Sequence, residues 1–278
     1  MKKNDLVAPV LKWVGGKRQL LEALTPLLPE RYEVYCEPFL GGGALLFDRQ
    51  PAMAYVNDVN VELINVYEVI KADVEALIAD LSAHKNEAEY YYAVRDWDQD
   101  DDSYARLTPV ERASRIIYLN KTCYNGLFRV NSAGKFNTPF GKYKTPNIVN
   151  AATLRAVSRY FREADVRFST ADYEEVLEPL PENAFVYLDP PYFPVSDTAN
   201  FTGYTKGGFN KNAQIRLKEC CDRLNEKGIK FMLSNSAAPF ITELYREYRV
   251  EIVQAKRAIN SVSSKRGDVD EVVVRNYA

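Results

Sequence analysis

One histidine in 278 residues leaves little room for several common chemistries. His84 sits in the polar stretch 82–89, reads as a surface residue, and has no neighbour that would complete a metal set. Zinc chemistry and a Ser-His-Asp relay are excluded on that ground, and no metal is expected. Cysteine is also scarce. Cys36, Cys123, Cys220 and Cys221 form no C-x-x-C pair, which suits buried or idle thiols in a reducing cytosol. No apolar run is long enough to span a bilayer, and Met1-Lys2-Lys3-Asn4-Asp5 lacks a following signal-type apolar stretch. A cytoplasmic protein is the expectation. With 46% hydrophobic residues, the chain can bury the core of one large domain or of two unequal ones.

Acid is missing from one long segment. Between Arg112 and Arg162 there is no Asp or Glu, while Arg112, Arg115, Lys121, Arg129, Lys135, Lys142, Lys144, Arg155, Arg159 and Arg162 all fall there. Just upstream, Asp96, Asp98, Asp100, Asp101 and Asp102 stand without a base among them. The net charge of -2 is therefore a cancellation of opposite blocks. These ten cations, unopposed within the segment and mixed with Tyr118, Tyr124, Asn125, Phe128 and Asn131, read as a phosphate-tracking surface with base-reading groups; the alternative is a solvated face.

Strand and helix patterns alternate at both ends of the chain. Extended runs are expected at 34–38, 53–57, 166–170, 184–188, 229–233, 249–254 and 271–276. Helices are expected at 44–49, 61–81 with Asn60 as cap, 87–97, 150–161 and 211–226, the last stopped by Gly228. Thr108-Pro109-Val110-Glu111 is a capping box that opens a helix to about residue 121. Residues 128–143, rich in Gly, Asn, Pro and Ser, read as a hairpin or long loop, and 260–268 as a polar loop. The fold class expected is α/β, a doubly wound and largely parallel sheet. Residues 1–61 and 150–278 would form the catalytic domain, and 62–149 a mostly helical insertion.

Two nucleotide motifs are approached and missed. Around Gly15-Gly16-Lys17 a P-loop would need glycine at Leu11 and Ser or Thr at Arg18. In Glu37-Pro38-Phe39-Leu40-Gly41-Gly42-Gly43 a dinucleotide fingerprint would need glycine at Leu46. Consecutive glycines after a strand still let a ligand approach the backbone. Asp58 ends the next strand, where a carboxylate can accept from both hydroxyls of a ribose; alternatively Asn57-Asp58 caps the following helix. Together these features suggest a nucleoside-containing ligand with no pyrophosphate. Trp13 and Lys17 on their glycine turn would suit a ligand with a flat ring and a carboxylate.

Asp189-Pro190-Pro191-Tyr192 follows a buried-type strand directly. An exocyclic amino nitrogen on a heteroaromatic ring is a poor nucleophile, because its lone pair is delocalised. If the Asp189 carboxylate and the Pro190 carbonyl hold its two hydrogens, the nitrogen is drawn towards a pyramid and its lone pair leaves the ring plane. A preplaced carboxylate also stabilises the positive charge that grows during alkylation. The prolines stiffen the turn, and Tyr192 offers a face for a base.

With these motifs in this order, the chain resembles the Dam/DpnII-type, alpha-class family of site-specific adenine-N6 DNA methyltransferases. The resemblance covers nearly the full length. It includes Lys12-Trp13-Val14-Gly15-Gly16-Lys17, the glycine loop, Asn57-Asp58-Val59-Asn60 and Tyr124-Asn125-Gly126-Leu127-Phe128-Arg129. Phe136-Asn137-Thr138-Pro139-Phe140-Gly141-Lys142-Tyr143 and the Asp189 tetrad complete it. It implies a Rossmann-like sheet with an inserted target-recognition domain, S-adenosylmethionine as donor, and double-stranded DNA as substrate, with GATC the default site. Asp189, Pro190, Pro191 and Tyr192 would be catalytic. Trp13, Lys17, Phe39, Gly41, Gly43, Asp58, Asp172 and Asp189 would hold the cofactor. Lys12, Tyr124, Asn125, Leu127, Arg129, Pro139 and Lys142 would meet DNA, with Arg129 the natural guanine reader.

The resemblance further implies a monomer, solitary or paired with a restriction endonuclease of the same site. Thr122-Cys123 ahead of Tyr124 departs from a position where relatives vary, and Lys265 and Arg266 are candidates for backbone phosphate. The tetrad alone would also permit cytosine N4 or an RNA adenine as target. A non-catalytic DNA-binding module would need neither tetrad nor glycine loop.

Overall fold

Short buried strands and capped helices follow from the pattern of side chains. The computed structural model describes residues 3–195, 209–256 and 268–278. Among these, the α-helices in chain order are α1 (Leu21–Leu24), α2 (Ala44–Arg49), α3 (Val61–Ala72), α4 (Val74–Ala83), α5 (Ala88–Arg95) and α6 (Asp101–Ala105). They continue with α7 (Pro109–Thr122), α8 (Ala151–Glu163), α9 (Tyr173–Leu177), α10 (Lys211–Glu226) and α11 (Pro239–Leu244). The strands are β1 (Val34–Glu37), β2 (Met53–Asn57), β3 (Asp165–Ser169), β4 (Ala184–Leu188), β5 (Lys230–Ser236), β6 (Arg249–Lys256) and β7 (Asp268–Arg275). Contacts divide the chain into two units. One comprises residues 1–16, 41–52 and 58–170; the other comprises 17–40, 53–57 and 171–278.

The second unit bears β2-β1-β4-β5-β7-β6 in that spatial order, part of a seven-stranded sheet. β1 pairs in parallel with β2 and β4, and β4 with β5, whereas β7 runs antiparallel to both β5 and β6. The largely parallel α/β sheet expected from the sequence is present. Every residue of β1 and of β4 is buried, which is why β4 reads as an unbroken apolar run rather than an alternating one. Leu217, Cys220, Cys221 and Leu224 of α10 recur at helical spacing and join Val186, Leu188, Phe231 and Leu233 in one core. All four cysteines are free and buried.

The first unit is mainly helical. α7 is buried almost all round and packs with α3, α4 and α5. Its capping box forms as expected, with Thr108 Oγ1 accepting from Glu111 N and the Glu111 carboxylate from Thr108 N. Residues 131–137 fold into a small hairpin through the Val130–Phe136 bridge and the Asn131 N to Lys135 O bond. The single helix expected over 61–81 is instead two, α3 and α4. Asp73 leaves helical geometry (φ -145°, ψ 67°) and its carboxylate caps the second by accepting from Ala76 N.

Two further expectations are corrected. His84 is not a surface residue: its side chain is 3% exposed, stacked on Tyr118, with Nδ1 2.9 Å from Tyr90 Oη and Nε2 3.0 Å from Ser114 Oγ. Burial pushes its pKa down. The cations of the acid-free segment are not all unopposed. Arg112 pairs with Glu62, Arg115 with Asp98, Lys135 with Asp101, and Arg155 with Glu75. The aspartate block therefore partly neutralises the basic block. Most of the loop over 260–268, with Lys265 and Arg266, lies outside the described residues.

Of these four pairs, that of Arg115 and Asp98 is the one most withdrawn from water, with side chains 2% and 12% exposed. Asp98 also accepts from Phe136 N. Asp98→Ala leaves a buried guanidinium without its counter-charge, held by the Val94 and Arg95 carbonyls, and the Phe136 N–H without its acceptor, and urea unfolding should register a loss of about 3–5 kcal/mol. Arg155→Ala, at an exposed pair, should leave the same transition unmoved.

Candidate active site

In the second unit, the apolar strand β4 ends directly in Asp189, so a carboxylate emerges at the carboxyl end of a buried strand. Lys17 stands in a short 3-10 turn (Lys17–Gln19) and is only 6% exposed. Its Nζ lies 2.8 Å from Asp189 Oδ1 and 4.4 Å above the centroid of the Tyr192 ring. Tyr192 Oη donates to Glu271 Oε2 on β7 at 2.6 Å. The Asp189 carboxyl is raised to about 6: burial pushes it up most, Lys17 pulls against that, and Glu271 adds to the rise. Burial, with Asp189 and Glu271 close by, drives the Tyr192 phenol far above its usual value. Tyr192 is thus a neutral hydrogen-bond donor and a ring face, not a base.

Phe39 follows β1 and meets Tyr173 at 5.2 Å and the edge of Phe209 at 5.9 Å between centroids. Asp172 caps α9 by accepting from Glu174 N, and Arg216 closes on its carboxylate at 2.6 Å. The Arg216 guanidinium also lies 4.7 Å from the Tyr173 ring centroid. A carboxylate offers about four acceptor sites, so Asp172 retains capacity for another donor. The second unit thereby gathers Lys17, Phe39, Asp172, Asp189, Pro190, Pro191 and Tyr192.

The first unit gathers the remaining predicted residues. Gly41 and Gly43 hold φ of +48° and +63°, the left-handed region that favours glycine, and Gly43 precedes α2. A Cβ on Gly41 would come within 2.9 Å of Trp13 Cδ1, so the loop and the indole are packed with no room for a side chain. Asp58 Oδ2 accepts from Gly41 N and Oδ1 from Asn60 N, each at 2.9 Å. Asn60, not Asp58, caps α3. Burial raises the Asp58 carboxyl, against the pull of its bonds from Asn60 and Gly41.

Trp13 stacks on Phe128 at 4.7 Å. Buried Asn120 binds Lys12 twice, accepting from its N at 2.9 Å and donating to its carbonyl at 2.8 Å, and it also donates to Gly126 O. Thr122, Cys123, Gly126 and Phe128 are buried, while Tyr124, Asn125 and Arg129 between and beside them are exposed. The anchored backbone thus presents side chains outward. Tyr124 N bonds to Pro139 O at 2.8 Å, joining the segment to an exposed proline; Leu127 is half-buried. Lys142 is exposed, at φ +55°, and pairs with no described acid. Arg129 donates from Nε to Asn137 Oδ1 at 2.7 Å and from Nη2 to the Asn137 carbonyl at 3.1 Å.

Sequence reasoning missed Asn120, Asn137, Arg216, Gln214, Asn235 and Glu271. Two of these carried a signal. Asn120 shares the buried face of α7 with Ile116 and Ile117, and Asn235 lies within the buried run of β5. A polar side chain on a buried face needs partners. Arg216, Asn137 and Glu271 look like ordinary surface residues until the fold brings their partners near.

Fold and site together define a group-transfer enzyme of the α/β class with an acceptor carboxylate at a strand end. Residues 13–259 match the family described as D12 class N6 adenine-specific DNA methyltransferase. The chain is 42% identical to Type II methyltransferase M1.LlaDCHI of Lactococcus lactis subsp. cremoris, covering 100% of this chain and 98% of the relative. It is 40% identical to Type II methyltransferase M.MjaIII of Methanocaldococcus jannaschii, covering 98% and 99%. A DNA adenine methylase of Vibrio cholerae is 33% identical over 95% of this chain and 94% of the relative. The chain belongs to the D12 class of N6 adenine-specific DNA methyltransferases. Its substrate is DNA and its target nitrogen that of adenine, which sets aside cytosine N4, RNA and a purely binding role.

The Asp189 carboxyl gives a direct check. A carbon-13 NMR titration of its carboxyl in the free protein should find a midpoint of about 6, against the ordinary 3.8. A midpoint at the ordinary value would contradict the burial and pairing described for it.

Proposed function

We propose that the chain moves the methyl group of S-adenosylmethionine to N6 of an adenine flipped out of duplex DNA, within GATC. One observation carries the reading: the Asp189 carboxylate, fixed by buried Lys17, is followed by a Pro190 carbonyl that no described donor occupies. Those two acceptors suit the two hydrogens of one amino group. Asp189 and Pro190 hold the amino hydrogens, Tyr192 lends its ring to the flipped base, and the Glu271 bond keeps that ring in place. No base has to be tuned beforehand, because the proton can leave after the new bond forms.

The donor set fits S-adenosylmethionine. Its sulfonium supplies an activated methyl group. Lys17 and Asp189 are the opposite charges that an amino acid moiety needs, Asp58 is an acceptor for a ribose diol, and Phe39 is a face for an adenine. Gly41 and Gly43 keep the loop bare of side chains, Trp13 buttresses it, and Asp172 supplies an acceptor beside the Phe39 and Tyr173 rings. Pro191 stiffens the catalytic turn.

For DNA, residues 62–149 act as the target-recognition part, with Lys12 beside it. Tyr124, Asn125, Leu127 and Pro139 meet bases, and Lys142 meets phosphate. Asn137 holds the Nε side of Arg129, which leaves Nη1 and the outer hydrogen of Nη2 for O6 and N7 of guanine. The names of the relatives, Type II methyltransferase and DNA adenine methylase, support a role either beside a restriction endonuclease of the same site or alone. The enzyme acts as a monomer.

Labelled S-adenosylmethionine and duplexes with or without GATC test the reading. Label should appear as N6-methyladenine only where GATC is present. Equal labelling of a scrambled duplex would remove the site, and no labelled base at all would remove the donor or the chemistry. Arg129→Ala should lose roughly 1–3 kcal/mol of discrimination at one guanine; wild-type discrimination on every sequence would remove its reading role.

A further inference from the structure

The catalytic turn cannot hold itself. Pro190 and Pro191 have no N–H, so between Asp189 and Tyr192 the backbone can be fixed only through its carbonyls. One of them is taken. Gln214 Nε2, on the first turn of α10, donates to the Pro191 carbonyl at 3.0 Å. Asn235 on β5 donates from Nδ2 to Gln214 Oε1 at 3.0 Å, and its Oδ1 accepts from Phe193 N at 3.0 Å and from Ser236 N at 2.8 Å. Ser236 Oγ donates to the Phe193 carbonyl at 2.6 Å.

We propose that Gln214 and Asn235 are positioning residues that hold the backbone behind Asp189 and so aim the Pro190 carbonyl at the adenine amino group. The proposal rests on the reading of that turn as the amino-group acceptor. Both side chains are fully buried, next to the apolar core of α10 and β5. Leucines would fill such a place without any polar group to satisfy, so two amides there call for a reason.

The direction of each bond is forced. Two backbone N–H groups face one end of Asn235, so that end is the oxygen. Its nitrogen must then face the Gln214 oxygen, which leaves the Gln214 nitrogen for a carbonyl that can only accept. The relay has one self-consistent arrangement, and in it the backbone from Pro191 to Phe193 is gripped at three atoms. Asp189 is fixed from the other side by β4 and Lys17. Pro190, between the two anchors, keeps its carbonyl free for substrate.

A loosened turn would misplace an acceptor without removing it, which should slow methyl transfer more than it weakens binding. Full-length Gln214→Leu, Gln214→Glu and Asp189→Asn are compared with wild type by single-turnover and steady-state methylation of duplex DNA from neutral to alkaline pH. Melting temperatures are recorded alongside. Gln214→Leu should lower the single-turnover rate roughly 10–100-fold with both KM values unchanged. In Gln214→Glu, a protonated acid can still donate to the Pro191 carbonyl, whereas an ionised one repels it. The ratio of that variant's rate to wild type should therefore fall as pH rises, a signature that mere structural damage does not produce.

Wild-type rates in Gln214→Leu, or a Gln214→Glu ratio that does not change with pH, overturn the positioning role. If Gln214→Leu fails to fold, the pH ratio of Gln214→Glu decides alone. Turnover by Asp189→Asn would instead overturn the reading of the turn itself, and this proposal with it.

Discussion

The ion pair between Lys17 and Asp189 is the contact on which the rest of the site depends. Taking two charges out of water costs several kcal/mol per ion, roughly, and apolar side chains of the same size would pack there at less cost. The pair makes sense only if an ionised acceptor is needed at the end of β4. Burial alone would tend to protonate Asp189, and a protonated acid offers a donor where an amino group brings two more. Lys17 opposes that tendency. It also lies over Tyr192, so one ammonium organises both the acceptor and the ring beside it.

In each unit, loops that carry candidate site residues are held by neutral amides. Asn57, at the end of β2, donates to the carbonyls of Pro38 and Ala171 and accepts from Ala171 N, tying together the segments that lead to Phe39 and Asp172. Asn120 does the same for Lys12 and Gly126, and Asn235 with Gln214 for Pro191 and Phe193. An amide carries a donor and an acceptor on one short side chain, so it can join two backbone segments at little of the desolvation cost of a charge.

Much of this was legible in residues alone. A continuous apolar run marked β4 because parallel strands are buried on both faces, and the turn after it was marked by residues that have no purpose in a core. The capping box of α7 and the stop at Gly228 were local and needed no fold to be read. The break at Asp73 was missed because the apolar spacing continues across it, and only the cap shows where one helix ends. His84 was misread since polar neighbours in sequence say nothing about Tyr90, Tyr118 and Ser114 in space. The unopposed look of the basic segment failed for the same reason: Glu62, Glu75, Asp98 and Asp101 lie outside it and fold back onto it. What stays exposed at Tyr124, Asn125, Arg129 and Lys142 is narrower than the segment and closer to what a groove could admit.

The central claim is that Lys17 keeps Asp189 ionised so that it can accept from the adenine amino group. The most direct measurement is the pH dependence of kcat/KM for duplex DNA in wild type and in Lys17→Met, at saturating donor. A carboxylate is the working form, so activity should fall as pH drops through the Asp189 value, about tenfold per unit once most of the acid is protonated. Removing the cation should displace the whole curve to higher pH, with activity recovered on the alkaline side. A Lys17→Met curve lowered evenly at every pH, with its midpoint unmoved, would contradict the account.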